Sequence, residues 1–379
     1  MLKIALVANE PPPYRIPVFN RVAQAPGILF QVIFCCRREP NRRWNLPPLE
    51  FDHVFLHERI KTINGRYIHN NPDVIRALQQ FSPDIVITNG FNPTHLYAFF
   101  YAHAKGAAFV PMTDGTYASE RTLNVVHRAV RRFAYSRADA FVAASRGGQQ
   151  LYESYGIPAA HCFRSCLCID NEAFSRPAFY QEKQYDFIFC GRIEAGKNPV
   201  FALQVAAETA KILRRRTRIL FVGSGSEEAN LRSAATLNAS FVRAVFHGFA
   251  AQEELPGLYH RAAIFLFPTA ADVWGVVANE ACAAGLPVII SPHAGAAGEI
   301  ILDNENGFIC PLDAASWAQR AAMLLSDPDL YSRFAARSRQ QVSEYTFDTA
   351  AGGLLDACRH AALKKGIPLP AGGEKAPFS

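Results

Sequence analysis

The 379-residue chain has no run of about 18 uninterrupted apolar residues, because Asp, Glu, Pro or Arg breaks every candidate. No membrane-spanning helix is therefore expected. It is also short of charge: 19% of residues are charged against 50% hydrophobic, a balance that excludes wholesale disorder. Nine cysteines are present, but not at metal-ligand spacing. The tightest cluster, Cys162, Cys166 and Cys168, lacks a second ligand pair, so no metal site is expected. Scattered, odd-numbered cysteines fit free thiols in a reducing cytoplasm. The apolar run in MLKIALVANEPPP is too short for a secretory core and reads as a first strand. There is no repeat of fixed period and no recognised nucleic-acid module, so nucleic acid is not an expected partner.

Charge is unevenly placed. Residues 1–175 carry 19 Lys+Arg against 13 Asp+Glu, whereas 176–379 carry 20 against 20. If that excess is used, the first half faces something anionic. The length exceeds one ordinary core, and two domains of roughly 150 to 200 residues are expected. Strand-like runs at 3–8, 28–36, 84–89, 107–112 and 139–145 alternate with amphipathic stretches such as NPDVIRALQQF, the pattern of parallel strands with crossover helices. The rhythm stops between Cys166 and Gln184, which reads as a linker, and restarts at YDFIFCG (185–191). Further strands are expected at 217–226, 244–249, 263–268, 287–291 and 307–311, with helices at about 199–214, 227–239 and 255–260. The expected organisation is an α/β chain with Rossmann-like βα domains at 1–170 and 180–344, a helix at 345–365 packing back on the first, and a disordered Gly- and Pro-rich tail at 366–379.

In open α/β sheets ligands bind beyond the carboxyl ends of the strands, so residues just after strands matter most. GRIEAGKNP (191–199) puts Gly191, Arg192 and Lys197 on one loop, with Asn198 and Pro199 as N-cap and first helical residue. Two cations beside a helix N-terminus suit a diphosphate, although a solvated basic loop has the same composition. FVGSGSEE repeats the layout with Gly223 and Gly225. In DVWGVVANEACAAGLPVIIS, Asp272 lies in a loop and Glu280 about a turn inside an apolar helix that starts after Gly275. A carboxylate in so apolar a helix needs partners, and ribose hydroxyls are suitable donors. The loop at 292–311 is read as starting a helix at Glu299.

These motifs resemble the retaining glycosyltransferases of the GT-B fold, family 4 (group 1) in the usual sequence classification. The family's Arg-x4-Lys falls on Arg192 and Lys197. Its Glu-x7-Glu falls on Asp272 and Glu280, with Trp274, Gly275, Gly285 and Pro287 in place. A later pattern falls on Gly295, Glu299, Asn306 and Gly307. The resemblance implies two Rossmann-like domains facing each other across a cleft, and an enzyme moving a sugar, with retention and without a metal or other cofactor, from a nucleotide diphosphate sugar to a saccharide or lipid-linked acceptor. UDP-sugar is the first expectation for the donor and GDP-sugar the second. Arg192 and Lys197 would hold the diphosphate, Glu280 the ribose and Asp272 the sugar. Backbone N–H groups of Gly275, Val276 and Val277 would face sugar or phosphate. The base would lie near Phe249, and Gly191, Gly223, Trp274 and Glu299 would complete the donor side.

Two departures stand out. Asp272 is one methylene shorter than the usual Glu. The first loop, NEPPPYRIPVF, carries three consecutive prolines where many members are Gly-rich, so Tyr14 and Arg15 are assigned to the acceptor side. Similar Pro-Tyr-Arg loops occur in bacterial members that build surface polysaccharides. Asp114, in PMTDGTY after a strand, is a candidate catalytic residue. Arg37, Arg38, Arg42 and Arg43 beside Trp44, and Arg128, Arg131 and Arg132, form the positive excess. Most such runs are solvated faces; the sharper reading is contact with anionic lipid headgroups or a lipid-diphosphate acceptor. The expected location is cytoplasmic, with the inner face of the cell membrane as its extension. A nucleotide-sugar epimerase and a non-catalytic nucleotide-sugar binder are the alternatives.

Overall fold

A computed structural model describes residues 1–40, 46–63, 66–120, 123–175 and 183–370. Arg42, Arg43 and Trp44, residues 176–182 of the stretch read as a linker, and the tail from 371 onward lie outside the described residues.

One compact unit comprises Met1–Leu167 and Phe347–Ser379. Its main strands are β1 (Leu2–Ala8), β2 (Ile28–Phe34), β3 (Asp52–Phe55), β6 (Ile85–Thr88), β7 (Ala108–Thr113), β8 (Phe141–Ala143) and β9 (Cys162–Arg164), with β4 (Ile60–Ile63) and β5 (Arg66–His69) forming a separate antiparallel hairpin. The seven pair in parallel in the order β3-β2-β1-β6-β7-β8-β9. LKIALVA is buried along almost its whole length, as a central parallel strand covered on both faces must be. β3 and β4 are short and largely solvent-facing, so no apolar run announces them. The helix Phe347–Lys364 returns to this unit, as expected. Its buried face is rich in small residues (Ala350, Ala351, Ala357, Ala361, Ala362), which let it pack closely on β9 and the helix Ile16–Ala23. Asp348 pairs with Arg21, and Lys364 Nζ donates to the Ala138 carbonyl at 3.1 Å.

The second unit is Cys168–Thr346. Its strands are β10 (Tyr185–Cys190), β11 (Thr217–Val222), β12 (Val242–Gly248), β13 (Ala262–Phe267), β14 (Val288–Ile290) and β15 (Gly307–Ile309), all parallel, in the order β12-β11-β10-β13-β14-β15. The chain winds outward from β10 in one direction and then from β13 in the other. That reversal opens a crevice between the loops after β10 and β13, where open α/β sheets take their ligands. Helices Pro199–Leu213 and Ala314–Ser326 pack against each other, and buried Phe187, Phe221, Leu203 and Trp317 share one apolar core. Asp313 and Asp327 cap the helices Ala314–Ser326 and Pro328–Val342 through side-chain acceptors.

Two readings change. The part of the linker at Cys166–Ile169 is buried, because SCLCI is itself an apolar run. No helix starts at Glu299. Residues 292–306 form tight turns instead, since Asn306 bridges Leu302 N–H at 2.7 Å and Ile300 C=O at 2.9 Å, and Asn304 takes a left-handed φ of 62°. No described helix is long and apolar enough to cross a membrane.

Candidate functional site

The strand-end edge of the second unit is held by backbone contacts between successive loops. Gly191 N–H donates to Val222 O at 3.0 Å, Ile193 N–H to Ser224 O at 3.0 Å and Gly223 N–H to Gly248 O at 2.7 Å. Gly223 has φ 131°, and a Cβ there would stand 1.9 Å from the Gly191 carbonyl oxygen, so no side chain fits. On the other side, the loop after β10 is stitched to the loop after β13. Ala270 N–H and the Thr269 hydroxyl both donate to Gly196 O, at 2.9 and 3.2 Å. Asn198 joins them: it takes a left-handed φ of 52° and its Nδ2 donates to Pro268 O at 2.8 Å. Its side chain therefore does not cap the helix Pro199–Leu213, contrary to the sequence reading, because the neighbouring carbonyl claims it.

This stitching places Lys197 Nζ 2.5 Å from Asp272 Oδ2, with both side chains largely shielded from water. Asp272 Oδ1 also accepts from Trp274 N–H at 3.2 Å, and Asp272 N–H donates to His293 O at 3.1 Å. Arg192 lies on the same loop but is more exposed and pairs with Glu194 at 2.7 Å. Both cations are thus balanced by carboxylates of the same edge. An arriving polyanion would exchange one partner for another rather than meet bare charge.

Gly275 caps the helix Val276–Ala283 with φ 94°, and a Cβ there would strike the Phe267 ring at 2.3 Å. The first-turn N–H groups of Val276 and Val277 begin this helix and carry the positive end of its dipole. Trp274 needs correction as a donor-binding side chain. Its indole is buried, with Nε1 donating to Asn279 Oδ1 at 2.8 Å and the ring 5.6 Å from that of Tyr345. Only its backbone stands at the turn, since a ring this apolar is better placed in the core.

Glu280 is buried and accepts from the Tyr259 hydroxyl at 2.8 Å. Burial pushes its carboxyl up to about 7, and the Tyr259 hydrogen bond opposes that rise. The Cys190 thiol, at the end of β10, is also pushed up by burial and by the nearby Glu280 charge. Glu299 is buried within the turns after β14, without the helix that was to carry it. Phe249 follows β12 with its ring exposed, after Gly248 at φ 84°.

In the first unit the structure brings Arg15 and Asp114 together at 2.7 Å. Arg15 is buried and also donates to Ser165 O at 3.0 Å, Ser165 Oγ at 3.1 Å and Cys166 O at 3.3 Å. It is an internal clamp joining the loops after β1, β7 and β9, which corrects its place among outward acceptor-side residues. Asp114 stays partly exposed, and Tyr14, next to Arg15 in sequence, is half-buried. Tyr259, Thr269 and Ser165 were missed by sequence reasoning. Each acts through a partner at least 21 residues away or in a separate loop, and no local motif marks such pairings. Among the described residues no group of three His, Cys, Asp or Glu is arranged to hold a metal ion.

The profile for Glycosyltransferase Family 4 matches residues 29–170, and that for Glycosyl transferases group 1 matches residues 170–341. The chain belongs to glycosyltransferase family 4. This family 4 chain is 29% identical over 187 residues to a glycogen synthase of Mycobacterium tuberculosis, across 49% of this chain and 44% of that protein. It is 33% identical over 188 residues to a D-inositol 3-phosphate glycosyltransferase of Frankia alni, across 46% and 45%. It thus aligns with about half the length of these relatives. The crystal structure of Anabaena HepE in complex with UDP matches it with a TM-score of 0.74 at 14% identity, covering 95% of this chain and 100% of that one. At that identity the likeness carries the fold, which is GT-B.

Proposed function

We propose that this chain transfers a sugar from a nucleoside diphosphate sugar to a hydroxyl acceptor, with retention of anomeric configuration. The observation that carries the reading is the convergence, at the β10/β13 switch point, of the Lys197–Asp272 pair, the first turn of the helix Val276–Ala283 and buried Glu280. An ionised Glu280 offers two oxygens to vicinal ribose hydroxyls. Arg192, Lys197 and the N–H groups of Val276 and Val277 supply donors and positive charge for the diphosphate, which takes on negative charge as the bond to the sugar breaks. Gly191 and Gly223 keep the neighbouring loops flat enough for a nucleoside, and the backbone beside Phe249 faces the base. Glu299, in the turns after β14, completes the donor side. Lys197 moves from Asp272 to phosphate, which frees the Asp272 carboxylate for a sugar hydroxyl.

In this scheme the sugar C1–oxygen bond to the diphosphate breaks, a bond from the acceptor oxygen to C1 forms on the same face, and the acceptor proton passes to the departing phosphate oxygen. The charge on Arg192 and Lys197 makes the step metal-independent. UDP is the preferred nucleotide because HepE was crystallised with it; GDP is the second choice. The acceptor is a saccharide or a lipid-linked saccharide of cell-surface polysaccharide synthesis, met by the first unit at the cytoplasmic side of the membrane. Asp114, paired with Arg15, and Tyr14 are its proposed contacts.

Incubation with UDP- and GDP-sugars tests the reading. Acceptor-dependent nucleotide release, with an unchanged anomeric configuration by NMR, is the expected result. Sugar isomerisation without an acceptor would make the protein an epimerase, and binding without turnover would make it a non-catalytic receptor.

A further inference from the structure

The helix Val125–Tyr135 begins at Asn124, whose Oδ1 accepts from His127 N–H at 3.0 Å. With about 100° per residue, Ala134 and Tyr135 fall on its inner side, and Tyr135 packs against Phe91, Phe141 and Tyr152. The opposite side presents Val125, Val126 and Phe133, which are 73%, 68% and 45% exposed. Phe100, on the adjacent helix Pro93–Lys105, is 54% exposed and its ring lies 6.5 Å from that of Phe133. Clustered large apolar side chains in water mark an interaction surface.

The exposed charges on this helix and just past its end have one sign. Arg128 and Arg132 are exposed on one flank and Arg137 on the other, its guanidinium 3.9 Å above the Phe133 ring. Arg131, which the sequence groups with them, is instead drawn inward to Glu120 and stacks 5.2 Å over Phe91. That pairing, with the Tyr155 hydroxyl also on Glu120, keeps this acid off the surface. Asp139 is likewise buried, with Lys364 and Lys365 at 4.0 and 3.9 Å. The helix itself contains no acidic residue.

We propose that this face docks on an anionic lipid bilayer, the helix Val125–Tyr135 lying in the plane of the interface. Val125, Val126, Phe133 and Phe100 enter the acyl boundary, and Arg128, Arg132 and Arg137 meet lipid phosphates. Charge complementarity selects this occupant: an outward apolar strip with arginines on both flanks and no exposed acid of its own matches a negatively charged sheet. The assignment rests on the proposed transfer to a membrane-associated acceptor for its purpose, but its physical basis lies wholly in the first unit.

The test is co-sedimentation of the full chain with vesicles of phosphatidylcholine containing phosphatidylglycerol, against phosphatidylcholine alone. Binding should require the anionic lipid and fade as salt is raised towards about 1 M, where screening acts within about 3 Å. Arg128→Gln and Arg132→Gln should each weaken partitioning about fivefold. Val126→Ser with Phe133→Ser should weaken it on the order of tenfold. Equal binding to neutral vesicles, or unchanged binding in these variants, overturns the proposal. So does concentration-dependent self-association abolished by the apolar double variant, which would assign the face to a second copy. All variants should keep their UDP-induced rise in melting temperature. Absence of that rise in the parent protein, with vesicle binding intact, would strike the transferase reading and leave the membrane surface standing.

Discussion

The two units use their charged residues in opposite ways. At the strand-end edge of the second, whose half of the sequence has no net charge, cations and carboxylates sit within hydrogen-bonding distance on adjacent loops: Lys197 with Asp272, Arg192 with Glu194. In the first, the Arg15–Asp114 pair at the strand-end loops is turned into the protein, while Arg128 and Arg132 lie exposed on an outer helix. The difference separates exchangeable pairing from structural pairing. A shielded but reachable pair can trade partners with a ligand, whereas a guanidinium that also serves two backbone carbonyls cannot leave without stranding them.

This contrast is sharpest in substitutions. Lys197→Ala or Glu280→Ala should lower turnover by roughly 10²–10³-fold or more, the scale of removing a transition-state contact, while a cooperative melt persists; nucleotide-release kinetics alongside circular dichroism would show it. Normal turnover in both would remove the donor assignment. Arg15→Ala should instead destabilise the first unit by about 3 kcal/mol, the low end for breaking a buried pair because Asp114 keeps contact with water. Chemical denaturation measures this, and an Arg15→Ala protein as stable as its parent would mean that the clamp is dispensable.

The third prediction concerns pH. The Glu280 carboxyl is raised from 4.5 to about 7 by burial, so the folded protein holds that proton more tightly than the unfolded chain. Its contribution to stability is therefore fully present below about pH 4.5 and is lost as pH rises through 7. Relative to Glu280→Gln, the parent should lose on the order of 3 kcal/mol of stability across that window, read from denaturation at several pH values. Donor affinity should run the other way, strengthening as Glu280 ionises. The smallest effect is expected from Tyr259→Phe. Loss of the 2.8 Å hydrogen bond, worth about 1 kcal/mol, should move the pH midpoint of donor binding upward with little change in turnover at saturating donor. An unmoved midpoint would separate Tyr259 from Glu280 function.

Much of the fold was legible because parallel strands buried on both faces leave continuous apolar runs. β1, β7, β10 and β13 were all found within a residue or two of their observed bounds. β3, β4 and β9 escaped because they are short and their residues face water or an edge. The helix expected at Glu299 failed for a different reason: Asn304 and Asn306 favour local turns strongly enough to override a run of apolar residues. At the candidate site, the residue types and their loops were readable. Their partners were not: Asn198 bonds to Pro268 instead of capping its helix, and Trp274 turns inward to Asn279.

The amino-acid order by itself determined the alternation of strands and helices, the glycines at the loop crossings and the presence of Lys197, Asp272 and Glu280 after β10 and β13. These depend on local backbone preference and on periodic burial, both of which are written along the chain. Only the tertiary structure decided that Arg15 is a clamp, that Tyr259 holds Glu280 and that Arg131 leaves the surface while Arg128, Arg132 and Arg137 stay on it. Each of those outcomes depends on which distant group reaches a side chain first, and a hydrogen bond that works over about 3 Å carries no trace of sequence separation.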